Sequence, residues 1–326
     1  MRNGVTCAAA MLAALFATLL AVPSTQAQSD YPNRPIRLIV GFPPGSSADI
    51  AARAVGNRMS QTLGQQVVVE SRPGAGSSIA AEQVARAPKD GYTLFMLSSA
   101  NITNEAINPA LPFKVAQDFT PIALVNTTAV ILAVRPSTGV GDLKGLIALA
   151  KSKPGELNYA STGVGTAPHL SGELLSQRAG VKLQHVPYKG SPEAATDLLA
   201  GRVAMMFSPA SAVVAQAKAG NLKVLASATG KRLGILPDVP TMAEAGMPDF
   251  ETSIWFGLVA PAGSPAAIVD RLAKAVAEAT AAPEVIKAWE PQGIIPLSGG
   301  PVNFGRHIAS ESKRWGEVAT AAGLKK

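Results

Sequence analysis

Ile36 to Leu63 read IRLIVGFPPGSSADIAARAVGNRMSQTL, and this stretch predicts a strand, a loop and a helix in succession. The apolar run Ile36 to Val40 is typical of a buried strand, and apolar residues at three- and four-residue spacings after Ile50 predict the helix. Glycines in the loop allow a ligand to approach the backbone closely, and a serine can cap the helix. Since the first amides of a helix lack partners and carry partial positive charge, the stretch predicts an anion site. Loops that only turn the chain share this composition, so a loop without a ligand remains the alternative interpretation.

A second stretch repeats the construction downstream. Leu157 to Ala160 predicts a strand, STGVGT at 161–166 a glycine-rich turn, and residues from about Ala167 to Arg178 a helix. Pro168 suits the first helical turn, where a missing N–H has no cost. Two such sites facing each other can clamp one anionic ligand.

Strands and helices alternate along most of the chain, which predicts parallel sheets covered by helices on both faces. Ligands then bind at the carboxyl ends of the strands. Ser98 and Ser99 follow the third predicted strand, so they are either neighbours of the first loop or a polar strand end. The apolar run at 122–134, broken by Asn126-Thr127-Thr128, and the apolar run at 254–260 predict two crossings between domains. The resulting divisions are 28–124 plus 257–326 for one lobe and 125–256 for the other, with a hinge between them. Helices are predicted at Leu143 to Ser152 and Met242 to Ala245, and Ser191 is a possible cap of the helix that follows it.

The first residues have the pattern of a secretory signal peptide, with cleavage after about Ala27. Arg2 precedes an apolar block from Ala8 to Val22, which is shorter than the roughly 20 residues of a membrane-spanning helix. A retained membrane anchor is the alternative. The one cysteine, Cys7, lies before this block, so the predicted mature chain has none. An exported chain of this length without disulfides indicates a bacterial periplasm.

Composition and motifs restrict the function further. The formal net charge of +7 is spread thinly, without the basic and aromatic clusters of nucleic-acid-binding proteins. His169 and Glu173 share a helical face, but no third metal ligand accompanies them. A serine hydrolase would need His169 or His185 beside a cleft serine and a buried acid, and no G-x-S-x-G elbow occurs. We therefore expect no metal, no cofactor and no enzymatic activity, and the hydrolase is kept as an alternative.

Several long fragments of the chain resemble one known family. These fragments are YPNRPIRLIVGFPPGSSADIAAR, VVVESRPGAGSSIAAEQVARAPKDGYTL, INPALPFKVAQDFTPIALV, LNYASTGVGTAPHL and VPYKGSPEAATDLLAGRV. They are similar to the periplasmic solute receptors of tripartite tricarboxylate transporters, also called the Bug family. The resemblance implies an α/β fold of the type II periplasmic-binding-protein class, with two lobes, a cleft and hinge closure. It also implies a receptor that captures a small organic acid and delivers it to membrane permease subunits, and we expect this receptor to be a monomer. A ligand-loaded sensor for a membrane signalling protein is the alternative.

In that family, backbone amides and ordered waters hold the ligand carboxylate. At matching positions the resemblance implies Phe42, Pro44, Gly45, Ser46 and Asp49 on one lobe, and Ser161, Thr162, Gly165, Thr166 and His169 on the other, with Tyr188 and Lys189 nearby; Ser47, Ser98 and Ser99 complete our candidates. His169 and Lys189 can instead be residues that only stabilise turns or face solvent. Trp255 and Phe256 are either hinge and core residues or an apolar wall of the site.

Two departures from the family pattern concern the ligand. The chain has Gly45-Ser46-Ser47 where the family commonly has paired glycines, and this adds hydroxyl groups. Ala204 stands where the family often has an acid. If that acid meets an amine in amino-acid-binding members, its absence argues against an amino acid as the ligand here.

Overall fold

The computed structural model describes residues 31–321, so the predicted signal segment 1–27 lies outside the described residues. Its strands are β1 (Ile36–Val40), β2 (Val67–Ser71), β3 (Thr93–Ser98), β4 (Phe119–Val134), β5 (Asn158–Ser161), β6 (Gln184–Pro187), β7 (Met205–Pro209), β8 (Lys223–Ser227), β9 (Ser253–Pro261) and β10 (Ile294–Pro296). Its α-helices are α1 (Ser47–Leu63), α2 (Ser78–Ala85), α3 (Ser99–Ile107), α4 (Val115–Asp118), α5 (Leu143–Ser152), α6 (Ala167–Ala179), α7 (Ser191–Ala200), α8 (Ala210–Lys218), α9 (Ala266–Ala281), α10 (Pro283–Trp289) and α11 (Pro301–Ala321). Within 31–321, the helices are all too short or too polar to span a membrane.

The first lobe contains a mixed sheet in the order β2-β1-β3-β9-β4, with β10 beside β4. The strand β1 is parallel to β2 and β3, and β9 is antiparallel to β3 and β4. Side chains of β1 alternate between two cores. Leu38 packs with α1 and α9, whereas Ile39 packs with Phe304 of α11 on the opposite face. Both faces are covered, which explains the continuous apolar run of β1.

The second lobe contains a sheet in the order β6-β5-β7-β4, with β8 on the free side of β4. Here β5 is parallel to β6 and β7, and β4 is antiparallel to β7 and β8. Tyr159 packs on the side of α5 and α6, and Ala160 packs against Leu198 of α7. The predicted two-lobed α/β fold is confirmed, and the crossing strands β4 and β9 add antiparallel pairs to the predicted parallel ones.

The long strand β4 belongs to both sheets. Residues 119–129 pair with β9, and residues 130–134 pair with β7 and β8. The chain returns just before β9, where the Thr252 amide donates to the Ala228 carbonyl at 3.0 Å. We propose lobe boundaries at these two points, near residues 129 and 252, a few residues from the expected 125 and 256.

Two local predictions differ from the structure. Met242 to Ala245, predicted as a short helix, forms hydrogen-bonded turns. Glu244 accepts from the amide of Thr241 at 2.8 Å, and Gly246 has a left-handed φ of 97°, so the chain turns away after one turn. The break predicted around residues 126–128 is a register shift between Leu124 and Asn126 within a continuous strand.

Candidate functional site

The two lobes line a partly open cavity where the carboxyl ends of the parallel strands meet, with about 340 Å³ of space that includes its opening to solvent. Its lining has two kinds of side chain, hydroxyl and apolar, and contains no charged group among the described residues. The hydroxyl side chains are those of Ser46, Ser47, Ser98, Ser99, Thr162, Thr166 and Ser191. The apolar ones are Phe42, Ala100, Ala167, Pro168, Pro209, Ile254 and Phe256. Six of the seven hydroxyl residues were candidates from the sequence.

The first turn of α1 is held in place by the predicted site residue Asp49. Ser46 is the N-cap, and its Oγ accepts from the Asp49 amide at 3.3 Å. The Asp49 carboxylate accepts from the Gly45 amide at 3.0 Å and pairs with Arg53 at 2.9 Å. Asp49 is buried but lies outside the cavity lining. It therefore fixes the loop, while Ser46 and Ser47 face the cavity.

Pro44 and Gly45 lie at the rim of the cavity, where both are exposed. Gly45 has a φ of 77°, a left-handed conformation that L side chains rarely adopt. A β-carbon at Gly45 would lie 3.8 Å from Cγ of Pro192 on the second lobe. These two predicted residues thus shape the edge of the cavity and are not part of its lining.

The helix α3 supplies a second N-terminus from the first lobe. Ser98 is its N-cap and forms a capping box with Asn101, whose Oδ1 accepts from the Ser98 amide at 3.0 Å. Ser98, Ser99 and Ala100 line the cavity. The expectation that Ser98 and Ser99 lie next to the loop of α1 agrees with this geometry, and they begin a helix.

On the second lobe, the glycine-rich turn before α6 contributes Thr162 and Thr166 to the lining. Thr166 is the N-cap, and its hydroxyl donates to the Gly163 carbonyl at 2.7 Å. Gly165 has a φ of 76° and donates its amide to Nδ1 of His169 at 3.2 Å. His169 lies outside the lining, so the contact to Gly165 makes it a residue that stabilises the turn.

Ser161 and His185 have the contact that the hydrolase alternative requires, because Ser161 Oγ lies 2.6 Å from His185 Nε2. However, Ser161 is fully buried outside the cavity lining, and its Oγ also accepts from the Gly163 amide at 3.1 Å. Burial, and secondarily the neighbouring His169, lower the pKa of His185 to about 4. A catalytic pair needs a serine that meets the substrate and a histidine whose pKa lies near the working pH. Here the serine lies outside the cavity lining, and the pKa of the histidine is about 4. The pair instead supports the turn.

Tyr188 and Lys189 are not part of the cavity lining. The Tyr188 hydroxyl donates to Asp197 at 2.7 Å, and burial together with this hydrogen bond raises its pKa to about 12. Lys189 is exposed. The next helix turn supplies Ser191, which the sequence indicated only as a possible cap. Ser191 is 1% exposed, lines the cavity, and its Oγ has no hydrogen-bond partner within residues 31–321.

Trp255 and Phe256, which the sequence left open as core residues or as an apolar wall of the site, lie on opposite faces of β9. Phe256 lines the cavity and packs edge-on against Phe42, with 6.5 Å between ring centroids. Trp255 points to the other face of β9, where its indole N–H donates to Glu311 at 3.1 Å. Phe256 is thus an apolar wall, and Trp255 is a core residue. Pro209 and Ile254 were missed, because only long-range pairing of β7 and β9 with β4 brings them here.

Five helices, α1, α3, α6, α7 and α8, begin at the cavity, since residues at or next to each N-terminus line it. Each N-terminus carries unpartnered amides and a partial positive charge. Hydroxyl groups surround these N-termini, and no described residue brings a cationic side chain to the lining. The cavity is therefore suited to an anion held by backbone donors.

Comparisons with known proteins agree with this geometry. The family model described as "Tripartite tricarboxylate transporter family receptor" matches residues 51–324. The structure of the periplasmic binding protein BugD is 33% identical, covers 91% of this chain and 100% of its own, and has a TM-score of 0.88. Rpa4515 of R. palustris with adipate is 36% identical, with coverages of 90% and 99% and a TM-score of 0.86. MatC of Rhodopseudomonas palustris with bound malate is 32% identical, with coverages of 88% and 99% and a TM-score of 0.84.

Proposed function

Because the chain belongs to the tripartite tricarboxylate transporter family of receptors, we propose that it captures a small mono- or dicarboxylate between its lobes. Family members are solute-binding receptors rather than enzymes, and relatives include a periplasmic binding protein. In this proposal the loaded receptor delivers its ligand, in the periplasm, to the membrane permease subunits of such a transporter. It acts as a monomer, because one chain supplies both walls of the cavity.

The observation that carries the proposal is the meeting of five helix N-termini at a cavity to which the described part of the chain contributes no cationic side chain. Each N-terminus next to a carboxylate contributes roughly 0.3–2 kcal/mol, and each hydrogen bond to the charged group roughly 1.5–3 kcal/mol. A micromolar complex requires roughly 8 kcal/mol. Two or three such contacts per carboxylate can supply this amount after ordering costs are subtracted.

The lining also restricts the body of the ligand. Among residues 31–321 no acidic side chain lines the cavity, and the nearby Asp49 is already paired with Arg53. An ammonium group would therefore lose its hydration without gaining a partner, which argues against amino acids. Phe42, Ile254 and Phe256 offer an apolar wall to a hydrocarbon segment. The solved relatives with adipate and with malate hold amine-free dicarboxylates.

A thermal-shift screen tests the proposal. The panel contains adipate, malate, hexanoate and, as amine-bearing controls, glutamate and lysine. An acid present at 100 times its dissociation constant should add about 2.7 kcal/mol to the free energy of unfolding. We expect at least one amine-free acid to raise the melting temperature and the amino acids to leave it unchanged. A panel of carboxylates that leaves melting unchanged would contradict the proposal.

A further inference from the structure

Thr103 and Asn104 of α3 reach from the first lobe to Gly165 on the second. The Thr103 hydroxyl donates a hydrogen bond to the Gly165 carbonyl. The amide nitrogen of Asn104 donates to the Gly76 carbonyl on its own lobe at 3.2 Å, which holds the side chain at the boundary. A β-carbon at Gly165 would lie 1.9 Å from Oδ1 of Asn104. The two residues therefore enclose Gly165 closely while the lobes are together.

The Thr103 hydroxyl has two acceptors for its single proton. Besides the Gly165 carbonyl, its Oγ1 lies 3.1 Å from the carbonyl of Ala100, one turn earlier in the same helix. A hydroxyl donates one hydrogen bond at a time. When the lobes separate, the proton can return to Ala100, so the buried hydroxyl is satisfied in both arrangements. The Gly165 carbonyl, by contrast, keeps this donor only in the closed arrangement.

Gly165 connects this contact to the ligand cavity. Its amide is fixed by His169 and its carbonyl by Thr103, so the peptide units on both sides of it are oriented. The next residue, Thr166, is the N-cap of α6 and lines the cavity. The position of Gly165 therefore sets the direction in which the first amides of α6 point.

We propose that Thr103 is a positioning residue: with Asn104 it clasps Gly165 on closure and thereby aims the N-terminus of α6 at the bound anion. The inference rests on the proposed function, because that function identifies the bound ligand as a carboxylate. The geometry of the clasp itself does not depend on which carboxylate binds. Replacing the hydroxyl should destabilise only the closed arrangement, because the Gly165 carbonyl is then buried without a donor.

The test compares Thr103→Val, which keeps the shape and removes the hydroxyl, with Thr103→Ser, which restores it. Thr320→Val is the matched control, since Thr320 donates to a carbonyl of its own helix far from the cavity. With adipate as the probe, we expect Thr103→Val to weaken binding about tenfold through faster dissociation. Thr103→Ser and Thr320→Val should bind as the wild type does. The melting temperature of the ligand-free protein should not change.

A second readout does not require a ligand. Spin labels at Gln83→Cys and Lys182→Cys, both exposed and on different lobes, report the distance between the lobes. We expect Thr103→Val to shift the distance distribution toward longer values relative to Thr103→Ser. An unchanged distribution together with unchanged adipate affinity would overturn the clasp. Wild-type protein that fails to bind any carboxylate would contradict the proposed function instead, and the label distances would still decide the clasp.

Discussion

At the scale of single residues, Ser191 brings a buried hydroxyl to the cavity without a partner inside the described part of the chain. An unpartnered buried polar atom costs stability, whereas one that meets a ligand oxygen contributes to binding. Ser191→Ala should therefore weaken carboxylate binding by about 1 kcal/mol, or roughly fivefold, without lowering the stability of the ligand-free protein. Calorimetric titration with adipate or malate and chemical denaturation measure the two effects.

The matched control for that substitution is Ser152→Ala, which removes an exposed hydroxyl at the end of α5. It should change neither binding nor closure. If Ser191→Ala binds as tightly as the wild type and unfolds more easily, its hydroxyl serves the fold and not the ligand.

His185 makes the stability of the second lobe depend on pH. Its pKa is lowered to about 4 in the folded protein by burial and by His169, against an ordinary value of 6.5. The unfolded chain therefore binds a proton at higher pH than the folded one does, and stability falls as pH decreases from about 6.5 to about 4. Below about pH 4, His185 is protonated in both the folded and the unfolded chain, so it causes no further loss of stability. His185→Gln, measured by urea unfolding at pH 7 and pH 4.5, should reduce this difference.

Burial also lowers the pKa of His307 in the first lobe, although Glu311 opposes the effect. The wild type and the His185→Gln variant share that contribution, so the difference between their pH profiles reports His185 together with its coupling to His169. Identical profiles would mean that protonation of His185 is tolerated in the fold.

At the scale of elements, local sequence was sufficient for strands and helices with strong periodicity. The helix α5 was predicted at its observed bounds, Leu143–Ser152, and β1 likewise, because amphipathic spacing and a buried apolar run leave little ambiguity. The helix α3 was missed. Its sequence, SANITNEAI, is rich in residues of low helix propensity. The capping box at Ser98 and burial of Ile102 and Ile107 against other helices override that propensity.

The residues that line the cavity likewise divide into those that local sequence indicates and those that only tertiary contacts bring there. Its hydroxyl residues follow strands directly, so the sequence indicated most of them through strand-loop-helix patterns. The apolar residues Pro209 and Ile254 reach the cavity through pairing with β4, at Val130 and Thr128 respectively. These partners are distant in sequence, and no local pattern encodes them. Side-chain roles also required coordinates, because only the contacts of Asp49 to the Gly45 amide and to Arg53 indicate that it serves the loop.

At the scale of the whole molecule, the two lobes touch across the mouth of the cavity. A β-carbon at Gly190 would lie 2.4 Å from Cδ of Pro43 on the opposite lobe, and one at Gly163 would lie 3.6 Å from Gly76. The lobes are connected through β4 and the return segment before β9. We propose that this arrangement is the closed state of a hinge protein, in which each lobe moves as a unit.

Gly190 offers a way to separate closure from folding. Its backbone is extended, with φ of −178°, so a larger residue is compatible with its conformation, and the close neighbour that such a residue would meet is Pro43 of the other lobe. Gly190→Val should therefore act as a wedge that keeps the lobes apart and leaves each lobe folded. We expect carboxylate affinity to fall at least about tenfold, since the wedge removes the contacts that one lobe makes with the ligand.

Small-angle scattering measures the result directly. In the wild type, a saturating carboxylate should reduce the radius of gyration, whereas in Gly190→Val it should remain at the ligand-free value. The control is Gly141→Val on the surface of the second lobe, where a β-carbon would meet only Nζ of Lys223 at 4.0 Å. A Gly190→Val protein that contracts and binds like the wild type would mean that the ligand is held without closure. In that case one lobe alone must supply the binding free energy, and the helix N-termini of α1 and α3 would have to be tested separately from those of α6, α7 and α8.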